Sequence, residues 1–276
     1  MKSQVSIVIS VYNESAVIQD CLRPFLNQTR RPLEIVLVDN GSTDDTREKI
    51  LALEPAFRER GIGLRLLSYG DRYYVEARIH GYAQARGHVI GLIDADTIVA
   101  DNWIEQVEKV FATPDVAGVG GGIVFRNRAW FFNWLTHYFP RLTRWLGLYT
   151  FWGLNCAFRK HAYGESGGLD GYEELRASAP LHTTQDDTYL CRQLMRAGTV
   201  VFNPDLKGTA LFRIQGREAT TAQALQRIGR ELITMWKIRR HFARNGHALS
   251  CYPVRSAADV PKPAAVLADT ASRQQR

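Results

Sequence analysis

The chain is predicted to fold as an α/β domain whose doubly wound, mostly parallel sheet is flanked by helices. Three observations carry that expectation. Short β-branched runs recur along the first half, helical patterns lie between them, and each run gives way to polar turn residues.

Val5–Val11 and Glu34–Asp39 are β-branched runs of strand length, and Gly63–Leu67 and Val89–Ile93 add two more. Glu14–Gln28, Thr46–Arg60 and Glu76–Arg86 are the helical spacers, an alternation that places helices on both faces of a sheet. Ser42-Thr43-Asp44-Asp45 offers N-cap residues to the second spacer. From Val116 the pattern changes: Gly118-Val119-Gly120-Gly121-Gly122 permits close backbone approach, and an aromatic stretch follows. Further on come a strand-like Gly153–Phe158, a turn at Gly167-Gly168-Leu169-Asp170, a helix over Asp186–Ala197 and a long basic helix over Glu218–Arg244. After Cys251 the sequence is rich in Ala, Pro, Ser, Gln and Arg, with little apolar periodicity, and is expected to be a disordered tail.

At 276 residues, with 45% hydrophobic and 23% charged, the chain can bury a sizeable core, which excludes wholesale disorder. Its 35 Lys and Arg exceed its 28 Asp and Glu, a net +7 that suits phosphorylated substrates, nucleic acid or an anionic membrane face. The four cysteines are far apart and lack metal-ligand spacing, so reduced thiols in a cytoplasmic setting are expected. Met1-Lys2-Ser3-Gln4 leads straight into the first strand with no signal-like segment. The apolar region Trp130–Trp152 is interrupted by His137, Pro140, Arg141 and Arg144, so no membrane span is expected there.

The chemistry concentrates at strand ends. Asp94-Ala95-Asp96 follows the apolar Val89–Ile93, so two carboxylates stand where a buried strand emerges, and ligands of open α/β sheets gather beyond such ends. One or two carboxylates plus substrate phosphates suffice to hold a magnesium-type ion. Tyr12-Asn13-Glu14 and Asp39-Asn40-Gly41-Ser42 end the first two strands on the same edge. There Tyr12 can stack on a nucleobase while Glu14 and Asp39 accept hydrogen bonds from base or ribose, although the same residue types also make ordinary turns.

Val5–Glu14, Gln28-Thr29, Glu34–Asp45, Ala77-Arg78, Gly87–Asp96 and Gly168–Arg192 together resemble the family 2 glycosyltransferases of GT-A fold. The resemblance implies an inverting, metal-dependent glycosyltransferase that moves a sugar from a nucleotide-diphosphate sugar to a glycan or lipid-linked acceptor. It implies Mg²⁺ or Mn²⁺ as cofactor and no nucleic-acid partner. Tyr12, Glu14, Asp39 and Asp94 are expected to hold nucleotide, Asp96 the metal. The family's Ala-Arg-Asn helix start reads Ala77-Arg78-Ile79, which leaves Arg78 as either a nucleotide contact or a solvated helix residue. Thr184-Gln185-Asp186-Asp187 falls where the family carries Thr-Glu-Asp, with Gln185 departing from the usual Glu; this makes Asp186 the expected catalytic base, or Asp187 if the motif is shifted by one residue, the alternative being that the two acids only cap the helix. On this basis residues 1–125 form the nucleotide-sugar-binding half, 126–250 an acceptor-side half with aromatic and basic helices, and 251–276 the tail. The setting implied is surface polysaccharide or glycolipid synthesis at the inner face of the plasma membrane. A nucleotidyltransferase and a non-catalytic nucleotide-sugar-binding module are the alternatives.

Two segments bear on that setting. Phe131, Trp134, Leu135, Tyr138, Leu142, Trp145, Leu146 and Tyr149 share one helical face between arginines. They form either an interfacial helix at an anionic membrane or a helix buried on the sheet. In the basic helix, Leu225, Ile228, Leu232, Met235, Trp236 and Ile238 are expected on one apolar side, which lies either on a membrane or against the catalytic core, and Arg213 and Arg217 before it are candidates to reach the diphosphate.

Overall fold

The computed structural model describes residues 4–70, 74–128, 133–134, 138, 143, 148, 150–151, 153–178, 185–211, 213–214, 217–218, 220–244 and 255–256. Strands β1 (Val5–Val11), β2 (Glu34–Asp39), β3 (Gly63–Ser68) and β4 (Val89–Ile93) fall where the β-branched runs predict them. They pair in parallel in the order β4-β1-β2-β3. Successive strand side chains point to opposite faces, so Ile7, Ile9, Ile35 and Leu37 enter one core while Val8, Val36, Val38 and Leu92 enter another. Both faces are therefore covered, as a doubly wound sheet requires.

Two spacers expected as single helices are divided. The first becomes α1 (Ile18–Leu22) followed by a 3₁₀ turn, Arg23–Leu26, and the second becomes α2 (Thr46–Leu51) and α3 (Glu54–Glu59). Pro24 and Pro55 stand at the start of the new segments, where the missing N–H costs nothing, whereas inside a continuous helix it would remove a bond. Asp45 caps α2 without a side-chain bond, and Asp44 accepts the Thr46 N–H in its stead at 3.1 Å. The third spacer is α4 (Tyr74–Gln84).

The second half extends the same sheet through β5 (Ile98–Val99), β6 (Val116–Phe125), β7 (Asn155–Arg159) and β8 (Thr199–Ala210). Helices α5 (Trp103–Phe111), α6 (Lys160–Ser166), α7 (Tyr172–Ser178) and α8 (Asp186–Ala197) pack between them, α8 with the predicted bounds. A hairpin of β9 (Arg213–Ile214) and β10 (Arg217–Glu218) precedes α9 (Thr221–Arg244). That pairing takes Glu218 out of the helix expected to begin there. The path across the sheet is β11 (Arg255–Ser256)-β8-β6-β7-β4-β1-β2-β3, where β7 is antiparallel to both neighbours and β5 pairs with β8.

The glycine-rich run lies inside β6. A Cβ on Gly121 would fall 2.4 Å from the Asn155 amide nitrogen, so only glycine leaves room for it. Asn155 uses that room to donate to the carbonyls of Gly122 and Leu206 at 2.9 and 2.8 Å and to accept from the Trp103 indole at 2.7 Å, joining β6, β7, β8 and α5.

Of the tail expected to lack structure, Arg255–Ser256 form β11, parallel to Val201 and Phe202 of β8; the remainder of 251–276 lies outside the described residues. Phe131, Leu135, Leu142, Trp145, Leu146 and Tyr149 also lie outside them. Trp134 and Tyr138 are exposed, with ring centroids 5.0 Å apart. In α9 the expected apolar side is split: Met235 and Ile238 are buried with Phe242, but Leu225 and Trp236 face outward with Ile233. Among the described residues no helix is long and apolar enough to cross a membrane.

Candidate active site

A cavity of about 770 Å³ opens beyond the carboxyl ends of β1 and β4. Six of the seven predicted site residues line it: Tyr12, Glu14, Arg78, Asp94, Asp96 and Asp186. Asp39 does not, although its neighbour Asn40 does. The Asp39 carboxylate is turned toward α2, receiving Arg47 Nη1 at 2.6 Å and the Ser42 N–H at 3.1 Å.

The loop after β1 is held by an unusual backbone. Asn13 has φ of 52°, a left-handed conformation that asparagine tolerates better than most residues. Its N–H donates to Ser42 Oγ and its side-chain oxygen accepts the Thr43 N–H at 2.8 Å, so the loops after β1 and β2 fix one another. The Tyr12 ring remains 44% exposed at the cavity wall, and Glu14 turns inward.

Arg78 is not a solvated helix residue. It is buried, donates to Asp94 Oδ1 at 2.5 Å and to Asp186 Oδ2 at 2.7 Å, and lies 5.0 Å from the Tyr74 ring centroid. Burial alone would depress the guanidinium, but the two carboxylates reverse that and hold it well above its ordinary range. Helix α4 delivers it by lying hard against the sheet at Gly81, where a Cβ would stand 2.5 Å from Val8 Cγ1. Tyr74, one turn earlier, donates to Asp186 Oδ1 at 2.9 Å, so both oxygens of Asp186 are engaged and the residue is 3% exposed.

Arg213 makes the corresponding bridge on the other side. Its Nε lies 2.8 Å from Asp96 Oδ2, and its Nη2 lies 3.0 and 2.9 Å from the two oxygens of Glu14. Burial pushes the Glu14 carboxyl up despite that partner, and Asp96 is pushed up by burial and by Asp94.

Asp187 differs from Asp186. It is only partly covered, with Oδ2 accepting the Gly153 N–H at 2.9 Å and Oδ1 the Thr188 N–H at 2.7 Å. Burial and the adjacent Asp186 push its carboxyl up to about 7. The far wall comes from α9 through Arg227, Glu231 and Met235, a contribution the sequence reading missed. Gln185 donates its side-chain amide to the Glu231 carbonyl at 3.3 Å and so ties α8 to α9. The signal was available: Glu231 is the lone acid between Thr221 and Arg244.

Among the described residues no cluster of three or more acid, His or Cys groups is arranged to hold a metal by itself. The residues fit a magnesium- or manganese-type ion in the other manner, with Asp96 and its neighbour Asp94 giving one or two carboxylates and phosphate oxygens the rest. Crowded carboxylates at Glu14, Asp94 and Asp96, two of them pushed up by burial, are what an added cation would relieve.

Residues 6–167 match Glycosyl transferase family 2, and residues 89–249 match Glycosyl transferase family group 2. Curated relatives include the glycosyltransferase GlyG of Streptococcus pneumoniae, 33% identical over 122 residues, which are 44% of this chain and 39% of that protein. A poly-beta-1,6-N-acetyl-D-glucosamine synthase of Staphylococcus epidermidis is 27% identical over 126 residues, 45% of this chain and 30% of that protein. The matches thus span well under half of those relatives. Among solved structures, the mannosyltransferase PcManGT from Pyrobaculum calidifontis, in complex with GDP-Man and Mn²⁺, superposes with a TM-score of 0.67 at 21% identity, over 99% of this chain and 76% of that one. S. aureus TarS in complex with UDP gives 0.56 at 16% identity, over 88% and 72%. At these identities the likeness shows the shared fold. With a family match running from β1 through α6, over more than half of its length, the chain belongs to glycosyl transferase family 2.

Proposed function

We propose that this protein transfers a sugar from a nucleotide-diphosphate sugar to an acceptor hydroxyl, with inversion, in the presence of Mg²⁺ or Mn²⁺. The observation that carries this is the charge pattern of the cavity. Its described lining holds six carboxylates, Glu14, Asp94, Asp96, Asp186, Asp187 and Glu231, against three arginines, Arg78, Arg213 and Arg227. A diphosphate entering so acidic a cleft needs an added cation. Asp96 would hold that ion beside Asp94, and when bound it would offset the charge that develops on the departing diphosphate. Tyr12 offers a flat wall for the base, and Glu14 and Asp94 are acceptors for its sugar hydroxyls; Asp39, turned to Arg47, would act by fixing the loop that carries Asn40.

For the proton acceptor we favour Asp187 over the expected Asp186. An acceptor hydroxyl is a weak nucleophile until its proton is taken, and a base works best with a pKa near the working pH. Asp187 meets that condition at about 7 and lines the cavity only partly covered, while Asp186, which also lines it, is buried with both oxygens held by Arg78 and Tyr74. Asp186 is then a positioning residue, orienting the arginine that also holds Asp94.

The acceptor is proposed to be a glycan or lipid-linked sugar at an anionic membrane surface, in surface polysaccharide or glycolipid synthesis. Support comes from the outward face of α9, where Leu225, Ile233 and Trp236 are exposed beside exposed Arg230, Arg240 and Arg244, with Arg240 stacked 5.2 Å from the Trp236 ring. The opposite face of the same helix lines the cavity, which would set the acceptor site close to that surface. A screen of nucleotide-sugars for hydrolysis and transfer, with and without Mn²⁺, tests the whole proposal. Binding of nucleotide without turnover of any donor would make the chain a binding module, and turnover undiminished by chelator would remove the metal.

A further inference from the structure

We propose that Arg213 is the resident counter-cation of the Glu14–Asp96 pair, and that it must be displaced for a divalent ion to reach Asp96. The inference rests on the donor-plus-metal reading above and adds an exchange step to it. Glu14 follows β1, Asp96 follows β4 and Arg213 begins the β9–β10 hairpin, so nothing local in the sequence brings them together. Yet one guanidinium spans both acids, its Nη2 between the two Glu14 oxygens and 2.7 Å from Asp96 Oδ2, its Nε 2.8 Å from that same Oδ2. All three side chains are mostly covered, with 19%, 21% and 14% exposure for Arg213, Glu14 and Asp96, so this is not a surface ion pair screened by water.

Two cations cannot share the same carboxylate oxygen at full strength. A divalent ion arriving alone at Asp96 meets the Arg213 charge on the same carboxylate, and to take Oδ2 it must strip that oxygen from Arg213 and leave the partly buried guanidinium with Glu14 alone, which is costly. Arriving with a nucleoside diphosphate, it brings the replacement. Phosphate oxygens match the planar donor fork of arginine as well as a carboxylate does, and the freed side chain is already in the cavity. Arg227 fixes the pivot, because its Nη1 donates to the Arg213 carbonyl at 3.1 Å and holds the backbone while the side chain turns. The arrangement makes metal and nucleotide bind together and disfavours metal alone.

The test measures Mn²⁺ binding by electron paramagnetic resonance and calorimetry on the full chain, first without nucleotide. Arg213→Gln should bind Mn²⁺ at least tenfold more tightly than wild type, since the competitor is gone. With saturating Mn²⁺ the same variant should bind UDP or GDP, whichever the wild type takes, at least tenfold more weakly. Arg213→Lys retains the charge and should stay close to wild type in Mn²⁺ affinity, which separates competition from a change in fold; matched melting curves are the control. If Arg213→Gln leaves Mn²⁺ affinity unchanged or lowers it, Arg213 is a structural clamp and the exchange is refuted. If wild type shows no Mn²⁺-dependent binding of either nucleotide, the donor-plus-metal reading fails first.

Discussion

Replacing Asp187 by Asn should make the protein a far poorer enzyme and, above neutral pH, a more stable one. The carboxyl is pushed from 3.8 to about 7 by burial and by Asp186. At about 1.4 kcal/mol per pH unit, that displacement means ionised Asp187 costs the fold up to about 4 kcal/mol. The sign follows from proton uptake: between roughly pH 4 and 7 the folded chain keeps a proton that the unfolded chain has lost, so wild-type stability falls as pH rises through that window. The variant has nothing to titrate there. It does set an amide NH₂ against one of the two backbone N–H groups now received by Asp187, from Gly153 and Thr188, at a cost of about 1–3 kcal/mol at every pH. The absolute difference is therefore small, but its change with pH is not. From pH 5 to pH 8 the variant should gain on wild type by roughly 2–3 kcal/mol, or roughly 5–10 °C in melting temperature for a domain of this size. Scanning fluorimetry at half-unit pH steps reads this directly, and kcat should fall by about two to four orders of magnitude with donor binding kept. A melting difference that stays flat from pH 5 to 8 refutes the raised pKa. A larger kcat loss in Asp186→Asn, with donor affinity and melting unchanged, would return the base to Asp186.

Asp96→Ala should abolish transfer and remove the Mn²⁺ dependence of nucleoside-diphosphate binding while the fold survives; equal nucleotide affinity with and without metal in the wild type would refute the metal assignment. Arg78→Met strands the buried Asp186 and should cost about 3–5 kcal/mol in chemical denaturation, and a loss below 1 kcal/mol would show that the bridge to Asp94 and Asp186 is dispensable. Vesicle co-sedimentation should show binding to anionic but not neutral lipid, weakened by salt and by Trp236→Ala with Arg240→Glu, with each exposed arginine contributing about 1 kcal/mol near the surface. Absence of binding to either lipid at low salt would leave the outer face of α9 without a membrane role.

β1, β2 and β4 were readable because fully buried parallel strands select continuous β-branched runs, whereas β3, at the sheet edge and only partly covered, showed no more than a short leucine-rich run; Asp94 and Asp96 were readable because carboxylates directly after a buried run have no packing use. The divided helices were also within reach, since Pro24 and Pro55 stood in plain view. What the sequence did not disclose depends on partners far along the chain. The place of β7 as an antiparallel strand between β4 and β6 is decided by pairing, and its own five residues read the same in either direction. Asp39 was assigned by its position at a strand end, but Arg47, on the next helix, claims its carboxylate. Arg213 was legible only as one of two arginines, with Arg217, that could reach a diphosphate; its bridge to Glu14 and Asp96 has no periodic signal, because a basic residue in a two-residue strand looks like any solvated turn. Glu231 could have been singled out as a lone acid among cations.

The strand order has a consequence for how the molecule comes into being. Among the described residues β8 and β6 pair with the β4-β1-β2-β3 strands only by way of β7, and β7 is made after 154 residues of chain. The cavity needs Glu14 from the first strand end and Arg213 from beyond the eighth, 199 positions apart. Such non-local closure is slow, because the chain gives up its freedom before the contacts repay it. The amino-terminal β–α units can collect around β1 early, but their clustered acids then wait without Arg213 until the carboxyl-terminal strands arrive. Limited proteolysis during refolding would expose this interval as a protected fragment ending before β7, unable to retain nucleotide.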